Sequence, residues 1–253
     1  MHNTGLDNTE KKIRLFGLIG YPLGHSFSKN YFTGKFDEAG ITDCKYELFP
    51  LTNIDQLPHL INDNPNLCGL NVTIPYKQQV LQYLDDRTSL PMDACNCIKI
   101  TGGKLAGFNT DVLGFEKSFL EKKTVHHQRA LVLGTGGASV AVQYILQKND
   151  IPFKVVSRSA GADLTYDDIT AQIMAEYTII VNTTPLGTFP DVHNCAPIPY
   201  EWINDRHYCY DLVYNPATTL FLEKSADNGA VIKNGADMLK IQADESWEIW
   251  NRV

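Results

Sequence analysis

Four apolar residues, Ala130-Leu131-Val132-Leu133, run directly into Gly134-Thr135-Gly136-Gly137 and then Ala138-Ser139. A buried strand passing through a glycine turn into a helix is the opening of a βαβ unit, and few other folds accommodate that order. Gly134 permits the tight turn. Gly136 lets the backbone approach a pyrophosphate, and the first amides of the following helix, with its dipole, favour an anion there. Ser139 holds the third small position, where the general pattern has Gly or Ala. A glycine turn without a nucleotide is the competing reading; a strand before it and a helix after it favour the nucleotide.

The rest of the chain repeats this alternation. Strands are expected at 13–20, 45–50 and 67–72, with helices at 26–39 and 54–62 between them. A helical stretch at 80–84 leads to a hairpin of 95–100 and 104–108, turned at Thr101-Gly102-Gly103, and to a helix at 112–121 opened by Asp111. After a polar link at 124–128 the pattern restarts. Strands are expected at 130–133, 153–156, 178–181, 207–212 and 230–233, with helices at 138–147, 166–175, 219–228 and 238–250. This is α/β architecture with a mostly parallel sheet in each half.

Two strand ends concentrate chemistry. Asn71-Val72-Thr73-Ile74-Pro75-Tyr76-Lys77 closes an apolar run with a proline that cannot pair. Asn71 and Thr73 alternate with Val72 and share a face, so an amide, a hydroxyl and an ammonium gather where open α/β sheets bind small polar ligands. The second end is Ser157-Arg158-Ser159, beyond the strand that follows the glycine turn. An NAD site usually carries a carboxylate at this place. An arginine fork instead fits a 2′-phosphate or stacks on adenine, which favours NADP.

Composition narrows the partners. The 253 residues carry a net charge of −7, which argues against a nucleic-acid face. No apolar run approaches the roughly 20 residues of a membrane span. The first twelve residues are polar and read as a flexible tail. Six cysteines without CxxC spacing fit a reducing, cytoplasmic setting. His126-His127 on the polar link reads as solvated, and Trp247 and Trp250, three apart, as packing residues.

Taken in order, several stretches resemble the shikimate dehydrogenase family: 20–29 (GYPLGHSFSK), 71–77 (NVTIPYK), 107–111 (GFNTD), the turn at Gly134, 182–187 (NTTPLG), 211–216 (DLVYNP), and Gly235 with Met238, Leu239 and Gln242. The resemblance spans 15–243. It implies two domains. One is a mixed/parallel-sheet substrate domain of 13–112 plus 236–253, to which the C-terminal helix returns; the other is a Rossmann-type NADP domain of 113–235. It also implies reduction of 3-dehydroshikimate to shikimate, with Lys77 and Asp111 as the acid–base pair. Ser26 and Ser28 would hold the substrate carboxylate, and Asn71, Thr73, Asn96 and Gln242 its ring hydroxyls. Tyr214 and Met238 would border nicotinamide and substrate. Gly134, Gly136, Gly137, Ala138, Ser157, Arg158, Ser159, Thr183 and Gly235 would line the cofactor. The expected enzyme is a cytoplasmic monomer or homodimer with no nucleic-acid, membrane or metal partner.

Three positions depart from the family's pattern. Cys97 follows Asn96 where the family has Thr, Asp237 is unusual beside Met238, and the second arginine that commonly follows the first is absent near Arg158. A quinate/shikimate dehydrogenase using NAD, and a non-catalytic nucleotide-binding regulator of the same fold, are the alternative readings. Retention of both Lys77 and Asp111 argues against the regulator.

Overall fold

The computed structural model describes residues 13–24, 27–158 and 161–252. Contacts divide the chain into two units, Met1–Thr110 with Ser246–Val253 and Asp111–Glu245. The tail 1–12, His25, Ser26 and Ser159 lie outside the described residues.

The first unit contains β1 (Arg14–Gly20), α1 (Phe27–Glu38), β2 (Cys44–Pro50), α2 (Leu57–Asp63), β3 (Leu67–Val72), β4 (Cys97–Thr101) and β5 (Lys104–Phe108). Its sheet has the order β2-β1-β3-β4-β5. The first three strands run parallel, and β4 and β5 add antiparallel through the Gly102-Gly103 turn, giving a mixed sheet. Strand alternation sends neighbouring side chains to opposite faces. Leu15 and Ile19 join Leu57, Leu70, Val80 and Ile98 in one buried cluster. Phe16 points the other way, stacking on Trp250 at 4.9 Å and meeting Trp247 edge-on at 5.5 Å. Phe32 and Phe36 complete that aromatic face. The Trp250 indole is buried, and its Nε1–H donates to the Ile98 carbonyl at 2.9 Å.

The second unit begins in α3 (Thr110–Leu120) and continues through β6 (Ala130–Leu133), α4 (Gly137–Lys148), β7 (Phe153–Ser157), β8 (Leu164–Thr165), α5 (Ala171–Glu176), β9 (Ile179–Asn182), β10 (Tyr208–Asp211), α6 (Leu220–Asp227), β11 (Val231–Lys233) and into α7 (Ala236–Asn251). All pairings are parallel, in the order β11-β10-β9-β6-β7-β8. Every residue of β6, β9 and β10 is buried, as in a sheet covered on both faces. The order reverses between β6 and β9, and sheets of this kind bind ligands in the crevice beyond the carboxyl ends at such a reversal.

Two expectations need correction. The single helix expected over 166–175 is broken. Asp163 accepts from the Val155 amide at 2.7 Å, and Asp168 accepts from the Thr165 amide and hydroxyl, both at 2.7 Å. These bonds create the short β8 and one 3-10 turn, and Thr170 starts α5 afresh by accepting from Ile173. His127 is not solvated. It is 3% exposed, its Nδ1 accepts from the Thr124 amide at 3.0 Å, and burial holds its pKa below the usual histidine value.

Candidate active site

In the first unit the carboxyl end of β3 is a network of bonded polar groups. Asn71, 4% exposed, accepts from the Tyr46 phenol at 2.9 Å and donates to Ser246 Oγ at 2.9 Å and the Asn96 carbonyl at 3.4 Å. An amide side chain supports four hydrogen bonds, so one acceptor position of Asn71 remains. Asn96, 3% exposed, accepts from the Thr110 amide at 2.6 Å and the Thr110 hydroxyl at 3.3 Å and donates to Thr110 Oγ1 at 3.1 Å, which leaves one amide hydrogen. Burial raises the Tyr46 phenol pKa, and the Ser28 hydroxyl bonded to it opposes the shift. Tyr46, Thr110 and Ser246 therefore fix the rotation of Asn71 and Asn96, and none of the three is among the site residues expected from the sequence. Ser246 lies four residues past Gln242 on α7, a spacing that could have flagged it.

The turn beyond β3 is pinned at both ends. The Thr73 amide donates to the Ile19 carbonyl at 2.9 Å, and the Cys95 amide donates to the Lys77 carbonyl at 2.7 Å. Between them the buried Tyr76 hydroxyl donates to the Leu51 carbonyl at 2.5 Å. Lys77 is thus carried half-buried on a fixed turn. Ser28 sits half-buried in the first turn of α1.

In the second unit Gly134 has φ +107°, and a Cβ there would meet Thr183 Oγ1 and Thr184 Cγ2, each at 2.9 Å. Thr183 is tied to the turn because its amide and hydroxyl both donate to the Leu133 carbonyl, at 3.0 and 2.7 Å. Gly136 caps α4 without a side chain, and added Cβ atoms at Gly136 or Gly137 would meet nothing within 4 Å. Thr135, Gly136, Gly137 and Ala138 are exposed while Ser139 is buried, so the third small position serves helix packing. A cavity of about 250 Å³ opens beside the turn, lined by Gly134, Gly136, Ser157, Arg158, Tyr166 and Thr183 among others. These features fit a dinucleotide: open amides and a helix dipole for the pyrophosphate, and a guanidinium for an added phosphate. Tyr166 was not anticipated.

The remaining expected residues are dispersed within this unit. Asp111 stands in the first turn of α3. Gln242, 7% exposed, donates to the Leu239 carbonyl at 3.1 Å, while Tyr214 is 43% exposed. Gly235 packs so tightly on the Leu212 backbone that a Cβ would collide with the carbonyl. Met238 is half-buried in the first turn of α7. Asp237 accepts from Lys233 at 2.7 Å, and Lys233 also pairs with Glu121 at 2.6 Å. Among the described residues no cluster of side chains could hold a metal ion, and no helix is long and apolar enough to cross a membrane.

A family profile for the shikimate dehydrogenase substrate binding domain matches residues 18–98. The shikimate dehydrogenase (NADP(+)) of Methanococcus vannielii is 33% identical, over 95% of this chain and 92% of its own. A chorismate mutase/shikimate 5-dehydrogenase fusion protein from Clostridium acetobutylicum is 32% identical, with a TM-score of 0.80 over 95% of this chain and 92% of that one. The shikimate 5-dehydrogenase of Thermus thermophilus, solved in complex with NADP(H) and shikimate, is 27% identical with a TM-score of 0.79, covering 94% of each chain.

Proposed function

The chain belongs to the shikimate dehydrogenase family, and on that premise we propose that it catalyses the reversible reduction of 3-dehydroshikimate to shikimate with NADPH. When bound, the reduced nicotinamide supplies the hydride. Addition to the ketone carbon leaves its oxygen as an alkoxide, and the Lys77 ammonium gives that oxygen a proton. In the oxidative direction the neutral amine takes the proton back. Asp111 is read as the second member of this acid–base pair. Gly134, Gly136 and Gly137 with the start of α4 take the pyrophosphate, and Arg158 takes the 2′-phosphate.

One observation carries the substrate reading. Asn71 and Asn96 are rotationally fixed by buried partners, and each retains one hydrogen-bonding position. Fixed neutral groups of this kind recognise a hydroxylated ring and discriminate against analogues lacking a hydroxyl. Ser28 is assigned to the substrate carboxylate. The enzyme is read as cytoplasmic, supported by six free cysteines.

The test is initial-rate measurement with 3-dehydroshikimate and NADPH, run beside NADH, and beside quinate in the oxidative direction. Shikimate formed efficiently with NADPH is expected. Absence of turnover would return the regulator reading, and faster turnover with NAD(H) and quinate would replace the NADP assignment.

A further inference from the structure

We propose that Tyr166, carried on the turn after β8, is the second ligand of the cofactor's 2′-phosphate and fills the place of the absent second arginine. The proposal rests on the NADP reading above. Strand register supplies the first reason. β7 and β8 pair in parallel with Val156 opposite Leu164 and Ser157 opposite Thr165. Arg158 and Tyr166 stand one residue beyond the paired ends of these two neighbouring strands, so both leave the sheet at the same edge. Both residues line the cavity that Gly134 and Thr183 also line.

The second reason is the state of the hydroxyl. The Tyr166 ring packs on the apolar core of its unit, while its hydroxyl, bonded to no described residue, is not buried and stays open to a ligand. Its apolar body is held in the unit while its polar tip is wet, the arrangement in which a phenol can exchange water for a ligand's acceptor. Burial raises its pKa, with the nearby Arg158 charge opposing the shift. The phenol therefore stays protonated at neutral pH and can donate. A phosphate monoester dianion accepts from several donors at once, so a guanidinium and a phenol O–H meeting on it make a two-point site.

The third reason is rigidity. Three bonds from Asp163 and Asp168 hold the segment on either side of Tyr166, which removes freedom that binding would otherwise have to restrict. These same bonds break the helix expected over 166–175.

Isothermal titration with adenosine 2′,5′-bisphosphate and 5′-AMP separates the 2′-phosphate from the rest of the nucleotide without relying on turnover. In the parent the bisphosphate should bind more tightly. Tyr166→Phe keeps the ring and removes the donor, so it should weaken the bisphosphate by about ten-fold or more and leave 5′-AMP within two-fold. A thermal unfolding midpoint equal to the parent's confirms an intact fold. Unchanged affinity for both ligands, or equal weakening of both, would overturn the proposal, the latter showing a ring that only walls the adenine. A parent that binds the two ligands equally well would overturn the NADP reading itself, and this proposal with it. Arg158→Ala distinguishes the cases, because it abolishes the preference only where the NADP reading is correct.

Discussion

The two units handle polar groups at their strand ends in opposite ways. In the first, Asn71 and Asn96 are bonded to Tyr46, Thr110 and Ser246, and almost all their hydrogen-bonding capacity is used internally. In the second, the glycine turn, Arg158 and Tyr166 line a cavity. Side chains that read a ring must be fixed in rotation, and that fixation takes neighbours. Main-chain amides are fixed already by the helix they start, so their surroundings only have to be small. The second unit also has a buried polar network, but away from the turn. Asp211 accepts from Asn182 at 2.9 Å, from Thr219 at 2.5 Å and from the Val213 amide at 3.0 Å, and holds the ends of β9, β10 and α6 together.

The largest effect expected from this contrast is chemical. Lys77→Ala should lower turnover by about 10²–10⁴-fold while shikimate and NADP⁺ affinities change little, because the proton is needed mainly in the transition state. Stopped-flow hydride transfer combined with equilibrium titration checks it. Turnover close to the parent's in a folded variant would place the chemistry elsewhere.

Next come the two buried networks. Asp211→Ala strands three donors and should cost about 3 kcal/mol, and Asn71→Ala strands fewer and should cost about 2 kcal/mol. Hydrogen exchange read peptide by peptide should locate the first loss in β9 and β10 and the second in β1 and β3. Equal loosening of both units by either variant would break the comparison.

The smallest effect depends on pH. Burial pushes the Asp211 carboxyl up to about 6, against the bonds from Thr219, Val213 and Asn182 that favour its charge. The folded chain therefore holds a proton there between about pH 6 and the unfolded value near 4, and this group's contribution rises as pH falls through that window. His127 and His207, both depressed by burial, act in the other direction: their contribution falls as pH drops below about 6.5. Subtracting the profile of Asp211→Asn from that of the parent isolates the carboxyl. The parent should gain on the order of 1 kcal/mol relative to the variant between pH 7 and 5. A flat difference would mean that Asp211 is ionised throughout.

The parallel sheet was the most legible part of the molecule. Its strands are continuous apolar runs bounded by glycine or polar turns, and β6 has the bounds expected for it. The glycine turn was legible for the same reason. The region 163–170 was not, because single carboxylates competing for backbone amides leave no periodic trace. His127 was misread because it lies in a polar run. The structure shows that a histidine three residues into a turn can accept from the turn's first amide, as His207 also does from Asn204 at 3.1 Å. Both turns lead into buried strands. In the substrate region Asn71 was legible as polar at a strand end, but its partners Tyr46 and Ser246 are 25 and 175 residues away in sequence, beyond any local pattern.

The division of the chain also sets an order of events during synthesis. The first unit takes its closing pieces, Ser246, Trp247 and Trp250, from residues translated after all of 111–245. At about 5–20 residues per second the ribosome spends on the order of ten seconds on that intervening stretch. Throughout it, Phe16, Phe32 and Phe36 wait without the indole rings that cover them, and Asn71 waits without its serine. The unit synthesised first is thus completed last. A nascent chain stalled before residue 246 would carry an uncovered aromatic face, the kind of surface that chaperones bind.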